Sequence, residues 1–206
     1  MDKRTLYQLI NTLSAAIEAR DLYTSVHQNK VSNIARIIAQ ELQLSKEKIE
    51  NIRLAGMLHD IGKLGIPTSI LSKAGRLRKE EFDLIKQHSL IGEEILKHID
   101  FSFPLSTIVR QHHERINGSG YPDGLKGNDI LLEARIIAVA DVFDSMTSSR
   151  AYRGALGMSA AMDELNKGSG ILYDSEVVDA CYKLYKNNKI NDLNSNAIWG
   201  GHRLVK

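Results

Sequence analysis

The ten residues Leu54-Ala-Gly-Met-Leu-His59-Asp60-Ile-Gly62-Lys63 constrain this chain more than any other stretch. Leu54, Ala55, Met57 and Leu58 form an apolar run that predicts a buried helix, and the run delivers a histidine, a carboxylate and a lysine to one point. Gly62 stands where a left-handed cap is expected to end that helix. A carboxylate beside an imidazole at the mouth of a buried helix costs free energy unless both are satisfied, and a divalent cation satisfies both. The remainder of the fold is therefore expected to bring further ligands to His59 and Asp60.

The 206 residues suffice for one domain with a substantial core. A net charge of +2 argues against a protein that coats a nucleic-acid polymer, so affinity for phosphate has to be local. The single cysteine, Cys181, cannot form an internal disulfide and reads as a small core residue in a reducing compartment. No run approaches membrane-spanning length and the first residues lack a secretory cleavage pattern, so a cytoplasmic location and no membrane partner are expected. Pro67, Pro104 and Pro122 fall between periodic segments, which favours an all-α fold.

From about Leu6 to Arg20, Leu6, Leu9, Ile10, Leu13 and Ile17 recur at helical spacing. Thr24 or Ser25 can cap a second helix, which places His27 in its first turn. Ser45 can cap the helix that leads to His59. The loop through Pro67 and Gly75 is apolar at Ile66, Ile70 and Leu71 and is expected to pack over the site. Arg78 to His98 reads as one helix with Phe82, Ile85, Ile91, Ile95 and Leu96 on its buried side and His88 on or beside that face. Leu105 to His113 forms another and ends in the doublet His112-His113.

The following stretch, Glu114 to Gly127, is rich in turn residues, yet Tyr121-Pro122 between its glycines argues for rigidity. Glycines there also let backbone amides approach a phosphate. Leu131 to Met146 is apolar on most sides and so central, and Asp141 and Asp144 share one of its faces. An unpaired Asp141 in such a helix would be expensive, which points to a metal or another cation. Arg150 and Arg153 follow, with guanidinium forks suited to phosphate oxygens. Asp174 is placed to cap a last amphipathic helix, and the polar stretch 188–206 carries no assigned chemistry, nor do His98 and His202.

His27, His59, Asp60, His88, His112, His113 and Asp141 make five of the seven histidines plus two carboxylates, each beside an apolar helical segment. The set is too large for one zinc, and Asp60 can bridge two ions with an oxygen on each, so a dinuclear hydrolase site is inferred. Asp144 is placed to orient Lys63 or a ligand histidine.

The motifs His59-Asp60-Ile-Gly-Lys63, His112-His113-Glu114, Gly118-Ser-Gly-Tyr-Pro-Asp-Gly124-Leu-Lys-Gly127, and Ala140-Asp141-Val-Phe-Asp144 with Thr147-Ser-Ser-Arg150-Ala-Tyr-Arg153 resemble those of the HD-GYP phosphodiesterases, a bacterial branch of the HD-domain phosphohydrolases. The resemblance runs from about Glu18 to Val178. It implies a single all-helical HD domain over 18–187, with the helix in 1–17 part of the same unit and the metal site between helices. It implies cytoplasmic hydrolysis of cyclic di-GMP to linear pGpG or GMP.

By the same resemblance, His27, His59, Asp60 and Asp141 gather about one divalent ion and Asp60, His88, His112 and His113 about a second. Iron or manganese are favoured, and nickel or zinc also suit such donors. Lys63, Gly120, Tyr121, Pro122, Arg150 and Arg153 match positions that meet the substrate, with Lys63, Asp60 and Asp144 at the chemistry. Tyr23 stands where some members carry a glutamate that holds a third metal, so two ions per chain and accumulation of pGpG are expected. Signalling proteins or a second copy of the chain stay open as partners. So do two other functions: hydrolysis of another nucleotide such as cyclic GMP-AMP, and a module that binds a cyclic dinucleotide without cleaving it.

Overall fold

The computed structural model describes residues 3–18, 27–73, 75–148 and 154–190. It is all-α, and among these residues the only β-type pairings are the isolated bridges Asn117 to Lys126 and Ser169 to Tyr173. Helix α1 is Lys3–Glu18, α2 His27–Glu41, α3 Lys46–Leu58, α4 Thr68–Leu71, α5 Lys79–Lys86, α6 His88–Leu96, α7 Leu105–Gln111, α8 Leu132–Thr147, α9 Met158–Gly168 and α10 Ser175–Lys186. Short 3-10 turns at Ile61–Gly65 and Gly127–Asp129 complete the list of described helical elements.

The apolar α8 lies at the centre, with Ile136, Ile137, Val139, Ala140 and Phe143 buried, and packs against α2, α9, α10, α3 and α7. Helix α3 begins where Ser45 accepts a hydrogen bond from the Lys48 amide, and α10 begins where Asp174 accepts from the Glu176 and Val177 amides. Both caps satisfy amides that have no partner inside the helix. Helix α3 lies closely on α2: a Cβ on Gly56 would stand 2.8 Å from the Ser32 Cα. Cys181 is fully buried, and burial pushes its thiol up to about 12.

Several expectations need correction. Gly62 does not adopt a left-handed cap; it lies inside the 3-10 turn, where a Cβ would stand 1.8 Å from the His88 carbonyl oxygen and 2.5 Å from the Gly92 amide nitrogen. Its role is close approach of two backbones, which seats His88 against the His59-Asp60 turn. The single helix expected over 78–98 is two helices divided at Gln87, so that His88 opens α6. Two residues given to its buried face are exposed, Phe82 on α5 at 46% and Ile95 on α6 at 37%, since two helices broken at Gln87 do not share one continuous buried face. In α1, Ile10 is buried but Leu9 and Leu13 are about half exposed, and the Leu6 and Ile17 side chains lie outside the described residues. Ile66 packs inward as expected, while Ile70 and Leu71 are only half-buried. The core continues to Ile190.

Candidate metal centre

His59 closes α3 and Asp60 opens the 3-10 turn, so the two side chains leave the chain where a helix hands over to a tighter coil. His27 heads α2, His88 heads α6, His112 and His113 follow α7, and Asp141 lies on α8. The structure brings all seven together. The donor atoms of His27, His59 and Asp141 lie within 4.8 Å of one another, as do those of His88, His112 and His113, and those of His59, Asp60 and His112. Asp60 stands between the first two groups. Its Oδ2 lies 3.4 Å from His59 Nε2 and 3.9 Å from His27 Nε2, and its Oδ1 lies 3.5 Å from His88 Nε2.

The hydrogen bonds fix which ring nitrogen faces the centre. The Nδ1 atoms of His59, His88 and His112 each lie 2.6–2.8 Å from a carbonyl oxygen three residues earlier, of Gly56, Ile85 and Val109 respectively. A carbonyl only accepts, so each Nδ1 donates. Burial, reinforced by neighbouring histidine charges, holds His112 and His113 well below the ordinary histidine range, and burial holds His88 below it. In these neutral rings the Nε2 of His88 and of His112 each carry a lone pair, and the two atoms lie 3.3 Å apart. Two lone pairs facing across that gap, beside a buried carboxylate, form a donor set that fits a divalent cation.

The carboxylates are ionised. Burial opposes this, but the Lys63 ammonium and the surrounding imidazoles hold Asp60 well below the usual carboxylate range, and Lys63 Nζ donates to Asp60 Oδ2 at 2.7 Å. Asp141 is likewise held low, against burial, by its hydrogen bond with His27. His27 shows the converse. Burial alone would lower its pKa, but hydrogen bonds to Asp141 and Asp144 raise it to about 9. Asp144, fully buried, meets His27 Nδ1 at 2.6 Å, so its partner is a ligand-type histidine; it also accepts from Ser148 Oγ, to which Lys30 Nζ donates. That chain of contacts holds the His27 ring with Nε2 toward Asp141, 3.2 Å away.

The loop after His113 is rigid. Glu114, 2% exposed, accepts hydrogen bonds from the amides of Asp123, Gly124 and Leu125 at 2.7–3.1 Å. Arg110 clamps the same loop, with Nε and Nη2 each 2.7 Å from the Asp123 carboxylate and Nη1 donating to Glu93. Gly120 permits this folding, since a Cβ there would stand 2.4 Å from Glu114 Cα and from the Arg115 nitrogen. The Tyr121-Pro122 bond is cis, and the Tyr121 ring lies 4.7 Å from that of His113. Tyr121 thus packs against the histidine cluster, with Gly120 and Pro122 as its chain neighbours, while Tyr23, Arg150 and Arg153 lie outside the described residues.

The organising roles of Glu114, Arg110, Lys30 and Ser148 escaped the reading of the sequence. Glu114 had a signal: a carboxylate that opens a glycine-rich turn is placed to collect backbone amides, as an N-cap residue does. The partners of Lys30 and Arg110 are far away in sequence and left none.

The HD domain family model matches residues 11–177. The chain is 45% identical over 175 residues to the cyclic di-GMP phosphodiesterase response regulator RpfG of Xanthomonas campestris, covering 84% of this chain and 46% of that protein. It is 42% identical over 183 residues to a cyclic di-GMP phosphodiesterase of Thermotoga maritima, covering 88% of this chain and 50% of that protein. The chain thus spans about half the length of these curated relatives. Among solved structures, a cyclic GMP-AMP specific phosphodiesterase of Vibrio cholerae shares the fold with a TM-score of 0.69 at 19% identity, over 91% of this chain and 51% of that one. With the family model matched across residues 11–177, the chain belongs to the HD-domain family.

Proposed function

We propose that this protein is an HD-GYP phosphodiesterase that hydrolyses cyclic di-GMP to linear pGpG, with GMP as a slower second product. The observation that carries the reading is the pair of donor groups on either side of the buried Asp60 carboxylate, with the imidazole lone pairs of His88 and His112 turned toward each other. His27, His59, Asp60 and Asp141 would hold one divalent ion, and Asp60, His88, His112 and His113 the other. Iron or manganese suit these donors best, and nickel or zinc also fit. Bound, such ions supply Lewis acidity that neutralises phosphoryl charge and makes water nucleophilic near neutral pH.

The chain's own groups do the rest. Asp144 keeps the His27 Nε2 pointed inward by accepting from Nδ1. Lys63, whose ammonium donates to Asp60 at the centre, would turn it to a phosphoryl oxygen of bound substrate. The Gly120-Tyr121-Pro122 segment closes one side of the site, and Arg150 and Arg153 take substrate phosphates or guanine edges. This reading makes the protein a cytoplasmic signalling enzyme, with signalling proteins or a second copy of the chain as its regulators.

The test is incubation of metal-loaded protein with cyclic di-GMP, cyclic GMP-AMP and cyclic di-AMP, with products separated by chromatography. Cyclic di-GMP is expected to be consumed fastest, giving pGpG before GMP. A metal-loaded protein that binds cyclic di-GMP but leaves it uncleaved would overturn the proposal in favour of a binding module.

A further inference from the structure

Phe82 departs from the pattern of its own helix: spacing assigns it to the core, yet it is 46% exposed. One turn on, the Lys86 ammonium stands 4.9 Å from the Phe82 ring centroid and 5.9 Å from that of Tyr121. Tyr121 in turn lies 4.7 Å from the His113 ring and 6.5 Å from that of His88. These contacts form a line from the histidine cluster outward: imidazole, phenol, ammonium, phenyl. The two aromatic centroids are no farther apart than the sum of their distances to the ammonium. Lys86 is also paired with Asp83 at 2.8 Å, but both side chains are substantially exposed, 32% and 49%. An exposed pair of this kind is weak, so an acceptor on a ligand can replace Asp83.

The chemistry of the line selects its ligand. A phosphate group needs cations but no exposed ring; an exposed ring beside an ammonium suits a flat heterocycle that stacks by its face and accepts a hydrogen bond at its edge. Guanine presents two acceptors, O6 and N7, on one edge, where adenine places an amino donor beside N7. Stacking on Phe82 would supply affinity for either purine, and Lys86 would favour guanine. We propose that Phe82 and Lys86, with Tyr121, form a purine subsite that takes one guanine base of the cyclic dinucleotide and sets base preference from outside the metal ligands. The inference rests on the substrate reading given above.

The test compares the Phe82→Ala, Phe82→Trp, Lys86→Met and Lys86→Arg variants, metal-loaded, on cyclic di-GMP, cyclic di-AMP and bis(p-nitrophenyl) phosphate, a diester with no purine. For Phe82→Ala, the ratio of kcat/KM on cyclic di-GMP to that on the simple diester is expected to fall roughly tenfold, the scale of one lost base-aromatic stack, and Phe82→Trp is expected to restore it. Lys86→Met is expected to reduce the preference for cyclic di-GMP over cyclic di-AMP roughly tenfold, with Lys86→Arg retaining it. Metal content by elemental analysis is expected to match the parent throughout. An unchanged ratio in Phe82→Ala, or equal losses on both dinucleotides in Lys86→Met, would overturn the subsite. If the parent protein cleaves the simple diester but no cyclic dinucleotide, the substrate reading fails separately. Calorimetric binding of GMP against ribose 5-phosphate then decides the subsite. Preference for GMP that disappears in Phe82→Ala supports it, and absence of such preference overturns it.

Discussion

Replacing Glu114 with glutamine tests whether one buried side chain sets the loop that walls the histidine cluster. In the native protein Oε1 accepts from the Asp123 amide at 2.7 Å and the Gly124 amide at 3.1 Å, while Oε2 accepts from the Leu125 amide at 3.1 Å. Glutamine keeps the volume but converts one acceptor into a donor. Whichever way the amide turns, at least one backbone N–H then faces an N–H, and the bonds that remain lose their charge assistance. A hydrogen bond to a charged group contributes roughly 1.5–3 kcal/mol, and an orphaned buried donor costs about as much again. The Arg110 clamp on Asp123 holds one end of the loop and limits the loss. The net weakening is then about 2–4 kcal/mol, or roughly 30- to 1000-fold in the local opening equilibrium. Native-state hydrogen exchange at Asp123, Gly124 and Leu125 measures it, with the amides of α8 as internal reference. The kcat is expected to fall as Tyr121 loses its register over His113, with metal retained. Exchange at the three amides within about threefold of the parent would refute the reasoning.

In the metal-free protein, His27 is raised to about 9, above its unfolded value. Its protonation therefore contributes stability that is fully present below about pH 6.5 and is lost as pH rises through about 9, a loss that urea titrations across that window would detect. Metal loading near pH 7.5 is accordingly expected to release close to one proton from His27, readable in weakly buffered dye solution. Asp144→Ala is expected to weaken metal affinity roughly 10- to 100-fold by freeing the His27 ring, and equal affinities in a metal titration would count against that role. Gly62→Ala forces a methyl into the His88 carbonyl and is expected to destabilise by about 3 kcal/mol or more, checked by the urea midpoint. Elemental analysis is expected to return two metals per chain, with pGpG accumulating before GMP, because Tyr23 cannot replace a carboxylate.

Local sequence determined the elements whose signals are local. The caps at Ser45 and Asp174, the buried course of α8, and the association of ligand-type residues with apolar helices all follow from spacing and side-chain chemistry within a few residues. The tertiary structure decided what depends on partners distant in the chain. Gly62 looks like a cap from its neighbours, but its backbone is set by His88, and a close approach between segments has no periodicity to betray it. The break at Gln87 interrupts a helix-compatible pattern because His88 must face Asp60, which moved Phe82 from the expected core to the surface. Glu114 carried the charge of an anchor, but only folding brings the amides of Asp123, Gly124 and Leu125 to it. Which nitrogen of each histidine faces inward was equally closed to the sequence, because carbonyl positions fix it, and a helix supplies those only once it has formed.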